Sequence, residues 1–203
     1  MTTLAPLENP YAPKVVGIAG GSASGKTTFA AALASALAAG IPPRQAEVLH
    51  MDRYALTDRT AGPSFVFSPT GETLFNMNHP DAFDFPRLLT DIEERCAAEK
   101  GLDVLIVEGL MTLHDKAVRE RLDLRLFLEL DADERALRRM LRDMAGGRSS
   151  RDPQFIADYY RESARVGHAL YVEPSRRSAD LILRGDGDFD RLAKMVARVI
   201  NQG

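Results

Sequence analysis

The chain has 203 residues, 45% of them hydrophobic, and a formal net charge of −3 at pH 7. This size and composition predict one globular domain with a substantial core, and the mild acidity argues against a general nucleic-acid or membrane-surface binder. A single cysteine, Cys96, excludes an internal disulfide framework and suits a reducing compartment. No apolar run is long enough to cross a bilayer, and the N-terminus lacks the basic-then-apolar pattern of a signal peptide, so we expect a cytoplasmic protein.

The first part of the chain predicts two strands around one helix. In chain order the predicted elements are an irregular, proline-containing arm (1–13), a buried strand (14–19), a helix rich in Ala and Leu (28–39), a short strand (46–51) and a long loop (53–79). The last segment shows little periodicity and many turn formers. Long loops in compact domains are usually functional.

The rest of the chain continues the alternation. The predicted elements are a helix from Pro86 to just before Gly101, a strand (103–107), a short helix (115–121), a strand (124–130), a helix capped by Asp131 or Asp133 and broken at Gly146-Gly147, a helix (153–172), a strand (180–183) and a closing helix (190–200). Alternating strands and helices predict an α/β fold, a doubly wound parallel sheet with flanking helices. Ligands of such sheets bind beyond the carboxyl ends of the strands.

A glycine-rich motif lies between the first strand and the first helix and fits G-x-x-x-x-G-K-[ST]. Backbone N–H groups of such a loop cradle phosphates, and the dipole of the following helix favours negative charge there. Lys26 would reach the β- and γ-phosphates, and the Thr27 hydroxyl would ligate Mg²⁺. A glycine-rich turn with a chance lysine is the alternative, but motif and flanks agree. The predicted ATP-binding residues of this loop are Gly20, Gly21, Ser22, Ala23, Ser24, Gly25, Lys26, Thr27 and Thr28.

Two acidic residues follow predicted strands at the same edge of the sheet. Glu108 ends a nearly continuous apolar run, and Asp52 follows the second strand. We expect Glu108 to hold Mg²⁺ beside Thr27, directly or through water, and Asp52 to accept the proton of an acceptor hydroxyl or to align it. The alternatives are a helix-capping role for Glu108 and a turn role for Asp52.

The helix after residue 131 has two distinct sides. Leu137, Met140, Leu141 and Met144 follow helical spacing, and the other side carries Arg135, Arg138, Arg139 and Arg142. A solvated basic face is the ordinary interpretation of such a run. Gly146-Gly147 and the arginines up to Arg151 favour instead a small helical lid, at about 143–172, that folds over the phosphates.

These features favour a small-molecule kinase, which needs a phosphate cradle, a metal, a base and positive charge on the migrating phosphoryl group. A switch GTPase should carry an N-K-x-D motif, which the chain lacks. A nucleic-acid ATPase would need a longer chain or extra modules, and the net acidity opposes it. The four histidines show no metal-ligand spacing. We expect them to be structural, with His79 a candidate exception.

Over roughly residues 15–183 the sequence resembles the uridine kinase and phosphoribulokinase group of P-loop kinases. The blocks that carry the resemblance are residues 17–28, Met51-Asp52-Arg53-Tyr54, Asn76-Met77-Asn78-His79-Pro80-Asp81-Ala82-Phe83-Asp84, Val107-Glu108-Gly109-Leu110, and residues 131–143. The resemblance implies a P-loop NTPase-type fold, here a single domain over residues 1–203. It also implies ATP and Mg²⁺ as cofactors.

The resemblance assigns further roles at matching positions. Asp52, Lys26 and Arg148 would be catalytic, and Arg142 would lie over ATP. The residues it places at the acceptor are Asp52, Tyr54, Asn78, His79, Arg139 and Arg148.

The chain departs from the family at two places. Asn78 stands where the family has an aspartate that binds ribose hydroxyls. Between Asp84 and Glu108, a helix is predicted in place of the hairpin with which uridine kinases contact the pyrimidine.

The sequence therefore predicts an ATP- and Mg²⁺-dependent kinase of a small metabolite, with the 5′-hydroxyl of uridine or cytidine as the first candidate acceptor. The alternatives are another riboside, a pantothenate-like substrate, or a nucleotide-binding regulator that has lost transfer activity. Retention of Lys26, Thr27, Asp52 and Glu108 argues against the regulator. We expect no nucleic-acid or membrane partner, and the sequence leaves a homo-oligomer open.

Overall fold

A computed structural model describes residues 12–97, 101–147 and 150–202. Its centre is a five-stranded parallel sheet formed by β1 (Lys14–Gly20), β2 (Ala46–His50), β5 (Val104–Glu108), β6 (Leu124–Glu129) and β7 (Leu181–Arg184). The strand order across the sheet is β2-β5-β1-β6-β7. Burial on both faces explains the continuous apolar runs of β1 and β5. The predicted doubly wound α/β sheet is confirmed.

Helices cover both faces of the sheet. Helices α1 (Lys26–Ala38) and α8 (Phe189–Gln202) pack together on one face, and α2 (Phe85–Ala97) and α3 (Lys116–Arg119) cover the other. The first core includes Phe29, Leu33, Leu37, Val196 and Ile200, and the second includes Leu88, Ile92, Leu105, Val118 and Phe127. In the described part of the chain, no helix has both the length and the apolar character needed to span a bilayer.

The predicted long loop at residues 53–79 is wrong. A short helical turn (Met51–Tyr54) is followed by an antiparallel hairpin of β3 (Ser64–Phe67) and β4 (Glu72–Phe75). Gly71, with φ of +72°, closes the turn. Between Asp84 and Glu108 the described residues form helix α2 and then strand β5, with no hairpin among them. A hairpin is thus present, but it precedes the 76–84 block.

Helix α4 (Ala132–Arg142) begins after Asp131, one of the two predicted caps, and ends before the predicted break at Gly146-Gly147, and its leucine side is the exposed one. Leu137 and Leu141 are 59% and 70% exposed, whereas Arg135 is only 7% exposed. The spacing of the leucines therefore identified a helix but not its buried side. Arg135 and Arg139, on the arginine side, face the glycine-rich loop, where a positive charge is better accommodated than in the apolar core.

A long helical stretch follows α4. A wide turn at Asp143–Gly147 ends α4, with Gly146 at φ +95°. Helix α5 (Pro153–Tyr159) begins with the Asp152 carboxylate accepting N–H groups of Gln154 and Phe155. The stretch then continues, through wider turns, along α6 (Arg165–Gly167) and α7 (Glu173–Ser175). It packs on the hairpin: Phe65 lies 5.7 Å from Tyr159 and Phe67 5.1 Å from Phe155, between ring centroids.

Candidate active site

The glycine-rich loop has backbone geometry that its sequence explains. Gly20 and Gly25 have φ of +145° and +93°, which disfavour other residues. A Cβ on Gly20 would lie 2.5 Å from the Leu128 carbonyl oxygen, and one on Gly25 would lie 2.7 Å from the Phe189 ring. Ala23 also adopts a left-handed conformation, at φ +65°. These values fix a tight turn directly before α1.

The loop offers unused donors at its centre. Within the described residues, the amide groups of Ser22, Ala23 and Gly25 donate no hydrogen bond, while Ser24 N–H donates to the Gly21 carbonyl at 3.1 Å. Helix α1 begins at the next residue, so its positive dipole end faces the same place. A concave set of free N–H groups at a helix N-terminus fits a phosphate chain.

Basic side chains line this loop. The Lys26 ammonium group donates to the Gly21 carbonyl at 2.9 Å, and an Nη atom of Arg139 donates to Ser22 Oγ at 3.3 Å. Arg139 also lies over the Tyr159 ring at 5.4 Å and 3.4 Å from an oxygen of Asp143. Arg135 packs against Gly21 itself. The basic side of α4 thus faces the phosphate cradle, and the interpretation as a solvated basic face fails for Arg135 and Arg139.

The predicted metal pair is brought together. Thr27 Oγ1 donates to Glu108 Oε1 at 3.0 Å, and Glu108 is only 6% exposed. A hydroxyl and a carboxylate oxygen are ligands that Mg²⁺ prefers, and this ion usually takes one or two carboxylates together with substrate phosphates. The described residues contain no cluster of three or more acidic, His or Cys side chains suited to a metal.

His50 completes this group and was missed by the sequence reasoning. Its Nδ1 lies 2.7 Å from the same Glu108 oxygen that accepts from Thr27. His50 and Glu108 are register partners at the ends of the adjacent strands β2 and β5. The signal was available only in part, because the sequence places both residues at strand ends but does not show which strands are neighbours.

Asp52 lies two residues beyond His50, exposed, in the turn that follows β2. It is therefore at the carboxyl edge of the sheet, on the side where Glu108 and the phosphate cradle lie. Its role as base stays a prediction.

Tyr54, predicted in the acceptor pocket, is 2% exposed, and its hydroxyl donates to Asp91 Oδ2 of α2. Burial, followed by the Asp91 carboxylate, raises the pKa of Tyr54 to about 12. The Tyr54 hydroxyl is thus buried and already bonded to Asp91.

Asn78 and His79 lie beneath the long helical stretch. The Asn78 amide donates to Ser163 Oγ at 2.8 Å, which in turn donates to Asn76 Oδ1 at 2.9 Å. Gly167 packs so closely on Asn78 that a Cβ there would lie 2.3 Å from the Asn78 carbonyl oxygen. His79 Nδ1 accepts the Asp81 N–H, and its ring meets Tyr171 edge-on at 4.9 Å. Both residues therefore connect the 76–84 block to the helical stretch.

Of the two remaining predicted arginines, Arg142 and Arg148, the structure describes only Arg142. Arg142 donates from Nε to the buried Asp143 at 2.8 Å. Arg148, predicted to be catalytic and to bind the acceptor, lies outside the described residues.

His168 is a second histidine that the sequence reasoning left as structural. Burial, with the nearby positive charges of Arg135 and Lys26, lowers the pKa of His168 to about 4. Its Nε2 lies 3.3 Å from Glu173, whose side chain is half-exposed and so screened by water. We attribute the lowered pKa to the dominance of burial over this ion pair. At pH 7 His168 is therefore neutral, and the positive charges of Arg135 and Lys26 act on it.

Cavity size alone does not locate the site. A cavity of about 640 Å³ opens at the amino ends of β2 and β5, around Ala46 and Glu47, at the opposite edge of the sheet. A smaller one of about 270 Å³ lies between α4 and the long helical stretch and includes Arg139 and Arg165. Only the smaller one adjoins the basic side of α4. The chemistry of the carboxyl edge, and not volume, identifies the candidate site.

Comparison with known proteins agrees with this geometry. A model of the phosphoribulokinase/uridine kinase family matches residues 15–100 and 90–190. A uridine kinase of Chloroflexus aggregans is 31% identical over 199 residues, which covers 87% of this chain and 89% of its own. A uridine kinase of Deinococcus deserti is 32% identical and covers 86% and 89%.

Solved structures give the same fold. A candidate fructose transport system kinase from Silicibacter sp. TM1040 superposes with a TM-score of 0.62 at 25% identity, over 89% of this chain and 93% of its own. A candidate uridine kinase from Bacillus stearothermophilus, at 19% identity and a TM-score of 0.51, supports the fold alone. The chain belongs to the phosphoribulokinase/uridine kinase family and is a phosphotransferase that acts on a hydroxyl group.

Proposed function

We propose that this protein transfers the γ-phosphate of ATP, with Mg²⁺, to a hydroxyl of a small metabolite, and that the acceptor is a nucleoside, uridine or cytidine first. The observation that carries the proposal is the contact between Thr27 and Glu108 beside a phosphate cradle. We also propose that residues 1–203 act as one kinase domain with a lid at about 143–172.

Each part of the reaction has a candidate side chain. The loop amides and Lys26 would bind the β- and γ-phosphates. Thr27 and Glu108 would hold Mg²⁺, which when bound neutralises charge on the phosphates. Asp52 would take the proton of the acceptor hydroxyl. The oxygen of that hydroxyl would form a bond to the γ-phosphorus while the bond between the γ-phosphorus and the bridging oxygen of the leaving ADP breaks. The charge of the migrating group would be stabilised by Arg139, Arg142 and Arg148. Of these, Arg139 already donates to Ser22 Oγ of the loop.

The 76–84 block supports a ribose-bearing acceptor, as do relatives that are named uridine kinases. Asn78 would take the place of the family aspartate, with an amide that both donates and accepts. Its N–H is now shared with Ser163, so acceptor binding would use its oxygen or rearrange this contact.

A second acceptor class, another riboside or a hydroxyl compound such as a sugar or a pantothenate-like molecule, is favoured by one observation. Helix α2 occupies the interval in which uridine kinases carry their pyrimidine-contacting hairpin. The hairpin of this chain, β3–β4, instead sets Phe65 and Phe67 against Phe155 and Tyr159. An acceptor pocket bounded by this hairpin would differ from that of the named relatives.

The test is a panel of acceptors: uridine, cytidine, adenosine, fructose and pantothenate, each with ATP or GTP as donor and product detected by mass spectrometry. We expect phosphorylated uridine or cytidine with ATP, and loss of product when Mg²⁺ is chelated. Turnover of fructose or pantothenate alone would replace the acceptor class. Absence of any phosphorylated product, with ATP bound tightly, would overturn the kinase proposal in favour of a regulator.

A further inference from the structure

Arg135 lies against the glycine-rich loop, although no sequence motif assigns it a role. Arg135 is only 7% exposed, and its Nε donates to the Leu130 carbonyl at 2.9 Å. A Cβ built on Gly21 would lie 2.6 Å from its Nη1 and 2.8 Å from its Cδ. The guanidinium group is therefore in direct contact with the second residue of the glycine-rich loop.

The charge of Arg135 is not balanced by a carboxylate in the described part of the chain. Its neighbours on α4 differ: Arg138 pairs with Glu134 at 2.9 Å, and Arg142 pairs with Asp143 at 2.8 Å. No described carboxylate lies within 4.0 Å of the Arg135 nitrogens. A buried charge without a partner is costly, so such groups ordinarily have a counter-ion.

The surroundings of Arg135 are electropositive. Lys26, which donates to the Gly21 carbonyl, brings a second cation to the same loop residue. Burial, followed by the positive charges of Arg135 and Lys26, lowers the pKa of His168 to about 4. The described ionisable neighbours of Arg135 thus include Lys26 and a neutral imidazole, and Arg139 lies on the adjacent Ser22. An anion would supply the missing negative charge.

We propose that Arg135 is a phosphate-binding residue whose counter-ion is the phosphate chain of the nucleotide, at the same phosphates that Lys26 binds. This inference rests on the proposed function. Arg135 is held by Leu130 in the first turns of α4 and is buried before any nucleotide arrives. It therefore differs from Arg148, whose proposed role belongs to a lid at about 143–172 that closes on ATP. A guanidinium fork also matches phosphate oxygens bidentately.

The test compares Arg135→Met with a matched control, Arg125→Met. Arg125 is the second residue of β6, at the opposite edge of the sheet, and it forms a bidentate ion pair with Asp180. Calorimetry would measure the Kd for ATP and for inorganic tripolyphosphate. Thermal unfolding would measure the Tm without ligand. We expect Arg135→Met to weaken both ligands about 10- to 100-fold, as for one charge-assisted contact, and the control to weaken neither.

The ligand-free Tm separates a binding role from a structural one. Removing an unbalanced buried charge should leave the Tm of Arg135→Met unchanged or raise it, whereas loss of the Arg125 ion pair should not raise it. Unchanged affinity of Arg135→Met for both ligands would overturn the inference, whatever its Tm. If Arg135→Met does not fold, Arg135→Lys keeps the charge without the fork, and we expect severalfold weaker binding. Unchanged binding by Arg135→Lys would then overturn the inference.

These outcomes are distinct from failure of the proposed function. Neither measurement requires an acceptor or turnover. Wild-type protein that binds tripolyphosphate through Arg135 but phosphorylates no acceptor would keep this inference and remove the kinase proposal. Wild-type protein that binds neither ATP nor tripolyphosphate would remove both.

Discussion

Thr27 and Glu108, 81 positions apart in the chain, are joined by a 3.0 Å hydrogen bond between the threonine hydroxyl and Oε1 of the carboxylate. Thr27 lies in the first turn of α1, directly after the loop that follows β1, and Glu108 ends β5, which is the neighbour of β1 in the sheet. The same carboxylate oxygen contacts His50 at the end of β2. The ends of β2 and β5 and the start of α1 thus converge on one carboxylate beside the phosphate cradle.

Replacing this carboxylate should impair metal-dependent turnover. We expect Glu108→Gln to lower kcat by about 100-fold or more, because metal-assisted charge stabilisation is worth several kcal/mol. ATP affinity in the absence of Mg²⁺ should stay close to wild type. Steady-state kinetics over a range of Mg²⁺ concentrations checks this. Glu129→Gln is a matched control at the end of the next strand, where the carboxylate pairs with Arg176 at the surface. Equal activity of Glu108→Gln and Glu129→Gln would contradict the metal role.

His50 should act through Glu108. Residues that orient a metal ligand typically change metal affinity by about 10- to 100-fold when removed. We therefore expect His50→Ala to raise the Mg²⁺ concentration needed for half-maximal activity about tenfold, with little change in kcat at saturating Mg²⁺. His50→Asn, whose amide can still donate to the carboxylate, should recover part of this loss. A Mg²⁺ dependence that is unchanged in His50→Ala would show that the contact has no bearing on the metal.

Tyr54 should contribute to stability and not to turnover. Loss of its bond to Asp91 in Tyr54→Phe should cost about 1–2 kcal/mol, a Tm decrease of about 3–6 °C for a chain of this length. Because the pKa of Tyr54 is raised to about 12, its stabilising effect is present below pH 10 and disappears between pH 10 and about 12. The Tm difference between wild type and Tyr54→Phe should therefore narrow over that range.

Tyr160→Phe provides the control for this prediction, since its hydroxyl bonds the Ala132 carbonyl near the surface. The Tyr160→Phe variant should lose less stability than Tyr54→Phe, and its Tm difference from wild type should not narrow between pH 10 and about 12. A large loss of kcat in Tyr54→Phe, without loss of Tm, would instead place the hydroxyl in the acceptor pocket.

His168 should make the ligand-free protein sensitive to acid. Its folded-state pKa of about 4 lies below the unfolded value near 6.5, so the unfolded chain binds a proton that the folded chain does not. Stability should be fully present above about pH 6.5 and fall as the pH decreases towards 4, by at most about 3 kcal/mol from this group. Urea unfolding at several pH values checks the slope. His168→Gln should lose this contribution, and an identical slope in the variant would contradict it.

The placement of the candidate site residues at the strand ends could be predicted from the sequence, because the motifs that carry them are local. The glycine loop, Lys26 and Thr27 lie in one motif, and Glu108 and Asp52 each follow an apolar strand. A parallel sheet then necessarily brings these ends to one edge. Which strands are neighbours is not a local property. The contact of His50 with Glu108 depends on the strand order β2-β5-β1, so His50 could not be assigned in advance.

Two errors have local causes. The hairpin at residues 64–75 was missed although Phe65-Val66-Phe67 alternates, with Val66 63% exposed and Phe67 buried, and a Pro-Thr-Gly turn follows. The strands are only four residues long, too short for a clear period. The leucine spacing of α4 did not show which side of the helix is buried. Leucines ordinarily face a core, but here it is Arg135 that is buried, against Gly21 of the glycine-rich loop.

The central claim is phosphoryl transfer with Asp52 as the base for the acceptor hydroxyl, and Asp52→Asn tests it most directly. Turnover of the best acceptor would be measured with saturating ATP and Mg²⁺, together with the Kd for ATP. The proposed mechanism predicts a loss in kcat of about 10²- to 10⁴-fold, with ATP affinity within about twofold of wild type. A variant that retains wild-type kcat would contradict the role of Asp52 and move the search for the base to another residue of the carboxyl edge.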